Sequence, residues 1–145
     1  MVSKIKIICI GKIKENSIKE LCDEFTKRIK PFCGFEILEL KDRGIEEDTK
    51  NINLKIKEDK LKNVFIMDER GEELTSIEFS NLINKKEEEI CFIIGGADGL
   101  LENIKKENKT ICLSKMTLTH ELARLILTEQ IYRSMMILNN RSYHK

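Results

Sequence analysis

His120, Arg124, Arg133, Arg141, Tyr143, His144 and Lys145 carry most of the chemistry that the end of this chain could perform. The only two histidines both flank one long apolar segment. An imidazole can take up or release a proton near neutral pH. His120 and Arg124 lie one turn apart on one helical face. A lone histidine at a helix start is more often structural than catalytic, so both readings stay open for His120. Tyr143-His144-Lys145 joins a stacking ring, a titratable ring and a cation, a set that suits an unstacked RNA base beside its phosphate. No Ser-His-Asp or HExxH arrangement occurs, and the carboxylates show no metal-ligand spacing, so no metal is expected.

Two loops could hold a small molecule. Phe92-Ile93-Ile94 runs into Gly95-Gly96-Ala97-Asp98-Gly99. Glycines at the carboxyl end of a buried strand let a ligand approach the backbone, and open α/β sheets bind ligands outside those ends. The run is neither GxxxxGK[ST] nor GxGxxG, and alone it is equally a structural turn. Leu113–Leu118 is a polar loop whose backbone, with the Ser114 and Thr117 hydroxyls, could hold an adenine and ribose. By itself it is more often an ordinary loop before a helix.

The elements that would position these groups alternate. Strands are expected at Lys4–Ile10, Phe35–Leu40, Val64–Met67, Ile90–Ile94 and Thr110–Leu113. A helix begins at Asn16 or Ser17, where Ser17-x-x-Glu20 has the capping-box pattern, and ends before Pro31, the single proline. Its apolar face is Ile18, Leu21, Cys22, Phe25 and Ile29. Residues 46–62 are weakly helical, Thr75-x-x-Glu78 caps another helix, and Leu100–Glu107 forms a short one. This alternation predicts one open, mainly parallel α/β sheet.

The last helix, about His120 to Leu138, is apolar on two sides. Leu127, Ile131, Met135 and Leu138 form one side, and Leu122, Leu125, Ile126, Met136 and Ile137 the other. Both sides need cover. The sheet can supply one, and a second subunit the other, so a homodimer is expected. Glu129 and Arg133 can pair at i, i+4 on that surface.

With 145 residues, one domain over 1–145 is the default. A net charge of +1 excludes coating nucleic acid by bulk charge. The charge is uneven, however: residues 113–145 carry 5 Lys+Arg against 2 Asp+Glu, a weak basic end that needs help from shape or a partner. Five scattered cysteines without CxxC spacing read as reduced, mostly buried thiols of a cytosolic protein. Met1–Ile10 lacks the apolar stretch of a signal peptide, and no apolar run is long enough to span a membrane.

Together, Phe92–Leu100 (FIIGGADGL), Leu113–Leu118 (LSKMTL), Glu129-Gln130-Ile131-Tyr132-Arg133 and Tyr143-His144-Lys145 resemble the ribosomal RNA large-subunit methyltransferase H family, small members of the SPOUT (α/β-knot) superfamily. The likeness spans nearly the whole chain. It implies a C-terminal trefoil knot, a homodimer, and S-adenosylmethionine as methyl donor. The implied product is N3-methylpseudouridine in 23S rRNA of the assembled ribosome, in the cytoplasm. By motif position the donor pocket would involve Met67, Gly95, Leu113, Ser114, Lys115, Met116, Thr117 and Leu118. His144, Arg133 and His120 become candidate catalytic residues, and Arg124, Arg141, Tyr143 and Lys145 candidate substrate contacts. The family usually has Pro where Thr119 stands, and Thr can still cap the helix.

A sulfonium methyl is electrophilic without a metal. The enzyme must align the base nitrogen with it and remove the N3 proton, for which His144 or His120 is the candidate acceptor. The competing readings are a related knot enzyme acting on another RNA, a non-enzymatic ribosome-binding factor and a generic nucleotide-binding module.

Overall fold

Unbroken runs of Ile, Val, Phe and Cys form the centre of a five-stranded sheet in the computed structural model, which describes residues 2–145. The strands are β1 (Lys4–Ile10), β2 (Gly34–Leu40), β3 (Asn63–Glu73), β4 (Ile90–Ile94) and β5 (Lys109–Cys112). Their order is β2-β1-β4-β3-β5, and every pairing is parallel. A parallel strand buried on both faces needs no polar alternation, and all five residues of β4 are buried.

Helices α1 (Asn16–Ile29), α3 (Ser76–Asn84) and α5 (His120–Leu138) cover one face. Helices α2 (Ile45–Glu58) and α4 (Glu102–Glu107) cover the other. Because side chains alternate along a strand, Ile5, Ile7 and Cys9 of β1 join the first core, and Ile8 and Ile10 the second. Phe92 is fully buried in the first core, its ring 5.8 Å from Phe65 and 5.5 Å from Phe79. Truncating such a ring typically costs about 3–5 kcal/mol.

The expected capping box at Ser17-x-x-Glu20 does not form. Glu15 is the N-cap of α1 and has no side-chain capping bond. The carboxylate of Glu121, on α5, instead accepts the amides of Lys14 and Glu15 at 3.0 and 3.1 Å, so a distant residue supplies what a local one was expected to supply. The box at Thr75 and Glu78 is present, and Thr119 caps α5 by accepting from the Leu122 amide. Leu21, expected on the core face of α1, is 48% exposed, and Met136, expected on the outer side of α5, is buried.

β3 continues beyond the expected Met67. Both Met67 and Glu72 pair with Ile111 of β5, so Asp68–Gly71 loops out between two segments that flank the same strand. Gly71 lies so close to β5 that a Cβ there would sit 2.8 Å from the Ile111 nitrogen.

Candidate active site

The carboxyl ends of β3, β4 and β5 open into a cleft of about 750 Å³, within the usual range for small-molecule sites. Three segments wall it: Met67–Arg70, Gly95–Leu100 and the loop from Leu113 to His120. Each leaves a parallel strand in the same direction, which is why segments far apart in sequence meet here.

The glycine turn is tight. The Gly99 amide donates to the Gly96 carbonyl at 3.0 Å, and Gly99 sits at φ +73, where glycine is favoured. A Cβ on Gly95 would lie 3.1 Å from Leu100 Cγ and 3.2 Å from the Gly99 backbone. In the β5–α5 loop, Ser114 Oγ accepts the Met116 amide, and the Thr117 hydroxyl donates to Glu69 across the cleft. That last bond ties the β3 segment to the loop after β5.

The lining is apolar at Ile94, Leu100, Leu113 and Leu118, and acidic at Asp68, Glu69, Asp98 and Glu121. Burial pushes the Asp68 carboxyl up, but the Arg70 amide and the Lys105 ammonium, 3.0 Å away, outweigh it and leave Asp68 below the usual carboxylate range. A cleft with apolar walls and ionised carboxylates fits a flat heterocycle joined to a cationic centre. Access to the Gly95–Gly96 backbone suits a close-lying polar group.

Of the residues anticipated from sequence, Met67, Gly95, Leu113, Ser114, Met116, Thr117, Leu118 and His120 all border this cleft. Lys115 points away from it and pairs with Glu73 at 3.0 Å. Arg124 lies elsewhere, its Nη1 2.7 Å from Glu39 of β2 in a side groove along α1. Sequence reasoning missed Glu69 and Asp68 as cleft groups and Glu121 as the clamp on α1; nothing in their local spacing marks them.

The tail forms a second cluster at the far end of α5. Asn139 ends the helix, Asn140 turns it at φ +54, and the Asn140 and Arg141 amides donate to Ile137 and Met136 carbonyls. This is a Schellman turn, and it folds the last residues back onto α5. Tyr143 packs edge-on against Tyr132, centroids 4.8 Å apart, and donates its hydroxyl to Glu129 at 2.9 Å. Burial and the Glu129 carboxylate both push the Tyr143 phenol up, so it stays a donor.

The same Glu129 oxygen accepts two bonds from Arg133, at 2.7 and 3.1 Å. The Arg133 guanidinium lies 4.9 Å from the centre of the Tyr143 ring. Arg133 Nη1 is 3.1 Å from His144 Nδ1. A guanidinium only donates, so in this contact Nδ1 accepts and Nε2 carries the ring proton. Glu129, foreseen only as a partner for Arg133, thus holds the whole tail. Arg141, His144 and Lys145 are exposed. His120 lines the cleft, and Glu129 and Arg133, which hold the tail, stand nine and thirteen residues further along α5, so about 14–20 Å of helix separates this cluster from the cleft of its own chain.

The family model described as predicted SPOUT methyltransferase matches residues 3–144. A protein named ribosomal RNA large subunit methyltransferase H from Clostridium tetani (strain Massachusetts / E88) is 40% identical, over 97% of this chain and 99% of its own length. The protein of the same name from Malacoplasma penetrans (strain HF-2) is 39% identical over 98% and 99%. Among solved structures, a probable methylase family protein from Haemophilus influenzae Rd KW20 superposes with TM-score 0.63, covering 97% of this chain and 70% of that one. A putative RNA methyltransferase from Bacillus anthracis superposes with TM-score 0.58, covering 97% and 99%. Both are 14% identical and so bear on the fold alone.

Proposed function

The chain belongs to the SPOUT methyltransferase family, and on that premise we propose that it transfers the methyl group of S-adenosylmethionine to N3 of a pseudouridine in 23S rRNA on the assembled ribosome. The observation that carries this reading is the cleft, where the glycine turn and the Leu113–Leu118 loop meet at the strand ends. Full-length similarity to relatives named for the large-subunit ribosomal RNA supports the substrate.

S-adenosylmethionine, when bound, supplies an electrophilic methyl on sulfur. Leu100, Leu113 and Leu118 would enclose the heterocycle, while Gly95 and Gly96 leave the backbone open to hydrogen bonding. Asp98 and Glu69 would attract the donor's positive charge. The Thr117–Glu69 bond joins the two loops at the exposed edge of the cleft.

The target base needs an acceptor for its N3 proton and donors for its carbonyls. His144 and Arg133 supply both: Arg133 stabilises charge developing on a carbonyl oxygen, and His144 accepts the proton once Arg133 releases Nδ1. Tyr143 stacks on the base, with Lys145 and Arg141 toward the substrate, while the expected contact from Arg124 is dropped because that side chain is held by Glu39 outside the cleft. His120, at the cleft itself, is the alternative acceptor.

Since the tail is held on α5 about 14–20 Å from its own cleft, the reading includes a homodimer in which one subunit's tail reaches the other's cleft. Leu122 of α5 is 39% exposed, Met116 is 78% exposed, and Leu125 and Ile126 are half-buried, which supports an apolar contact there. The reading also makes residues 1–145 one knotted domain in the cytoplasm. The knot rests on the family, and the Asp68–Gly71 excursion of β3 against β5 is where the chain departs from a simple sheet. Among the described residues no helix is long and apolar enough to cross a membrane.

The test is methyl transfer from labelled S-adenosylmethionine to assembled ribosomes lacking the modification, with the labelled nucleotide mapped by mass. Label on N3 of a 23S rRNA pseudouridine is the expected result. Donor binding without ribosomal label would redirect the search to another RNA. Failure of both donor binding and label would favour a non-enzymatic ribosome-binding factor.

A further inference from the structure

The carboxyl ends of β1 and β2 lead into two loops, 11–15 and 41–44. Both leave the sheet on the same edge as the cleft, because the strands are parallel. The Gly11 amide donates to the Leu40 carbonyl at 2.7 Å, so the loops depart side by side. Each presents two exposed cations, Lys12 and Lys14 on the first and Lys41 and Arg43 on the second. Among the described residues none of these four side chains is ion-paired. Neighbouring cations are engaged, with Lys19 on Asp23 and Arg124 on Glu39.

The loop backbones are tied down by three carboxylates, buried at Asp48, half-buried at Glu121 and exposed at Asp42. Glu121 accepts the Lys14 and Glu15 amides, Asp42 the Gly44 amide, and Asp48 the Arg43 amide. Exposed Glu15, Glu46 and Glu47 stand nearby, so the feature is a row of cations on rigid loop tips and not a uniformly basic face. Such pre-ordering lowers the entropy lost on binding.

The two loops lie beside the cleft, although none of the four cations lines it and Lys12 lines the groove along α1. Cys9 of β1 pairs with Ile94 of β4, which places the first loop about one strand spacing, ~5 Å, from Gly95, and the second about twice that. A Cβ on Gly11 would lie 3.8 Å from His120 Cε1, and one on Gly96 3.0 Å from Asp42 Oδ2. The cleft itself carries the carboxylates of Asp68, Glu69, Asp98 and Glu121 against two cations, Arg70 and Lys105, both held on Asp68, so its charge balance disfavours phosphate. An RNA strand offering a base to this cleft is therefore driven to keep its backbone outside, where the cations stand.

We propose that Lys12, Lys14, Lys41 and Arg43 form a rim that grips the phosphate backbone flanking the target nucleotide. This rests on the methyl-transfer reading and gives it a docking surface. It also accounts for RNA recognition by a chain of net charge +1: local unpaired cations replace bulk charge.

Binding of ribosomes to the full-length protein, followed against salt concentration, tests the rim. Wild type is compared with Lys12→Ala/Lys14→Ala and with Lys41→Ala/Arg43→Ala, with melting temperature and donor affinity as folding controls. Each lost phosphate contact should reduce the slope of log affinity against log salt by about 0.7–0.9. Either double variant is therefore expected to lower the slope by about 1.5 and weaken ribosome binding at least tenfold, with donor affinity unchanged. An unchanged slope, or no wild-type binding, would overturn the rim. A change in oligomeric state in place of the slope would also overturn it and mark a subunit contact. Methyl transfer scored in the same samples separates the two ideas: a rim-dependent slope without label sinks the reaction and keeps the rim, and label with a rim-independent slope does the reverse.

Discussion

Gly95→Ala tests the cleft at its tightest point. The added methyl would lie 3.1 Å from Leu100 Cγ and 3.2 Å from Gly99 Cα. Carbon atoms pack comfortably at about 3.5–4.0 Å, so the neighbours must yield by several tenths of an ångström. Leu100 is 4% exposed and packs with Ile104 and Ile10, and Gly99 is held in its turn by the bond to Gly96. Neither can swing away freely. Overpacking of this kind costs about 1–3 kcal/mol, which for a chain of this size lowers the melting temperature by roughly 3–10 °C. The displaced turn also lines the cleft, and loss of one good hydrogen bond to a ligand, about 1–1.5 kcal/mol, weakens binding about tenfold. Calorimetric titration with S-adenosylmethionine and a thermal melt would read both effects. Wild-type affinity together with a wild-type melt would refute the reasoning.

Other outcomes follow from the same structure. Gly71→Ala places its methyl 2.8 Å from the backbone of β5, which cannot move aside, and should cost about 3 kcal/mol or more; a melt close to wild type would contradict the close crossing. Glu129→Gln removes the charge that holds Arg133 and Tyr143, so carboxypeptidase should trim the tail faster and turnover should fall at least tenfold while donor affinity holds. His144→Ala should lose turnover with donor binding intact, and full turnover would remove His144 from the chemistry. Asp68 lies below its ordinary value in the folded state, so its contribution is complete above about pH 4 and disappears as pH falls through the lower folded value. Asp68→Asn should accordingly flatten the acid limb of a melting-temperature profile, and an unaltered limb would contradict the Lys105 pairing. Burial pushes the Cys9 and Cys91 thiols up to about 12 and Cys22 and Cys33 to about 11, so these thiols should resist a thiol reagent at pH 8 until denaturant is added.

What the chain states locally was legible. The unalternated Ile90–Ile94 run announces a strand buried on both faces, and the Thr75 box and the Thr119 cap lie within one helical turn of the groups they satisfy. The two loops that wall the cleft were legible as strand-end loops because glycines and short polar stretches there have local signatures, and their order along the chain matched a family. Tertiary structure decided whatever depends on distant partners. Glu121 holds the two amides that lead into α1 from more than a hundred residues away, and the local Ser17–Glu20 box does not form. Arg124, one turn from His120 in sequence, is drawn to Glu39 on the edge strand. Glu129 became the anchor of the tail only because Asn140 turns the chain back onto α5. Spacing along a chain encodes which groups share a helix face or a strand end. It does not encode which charge from another element arrives first, and burial makes that arrival decisive.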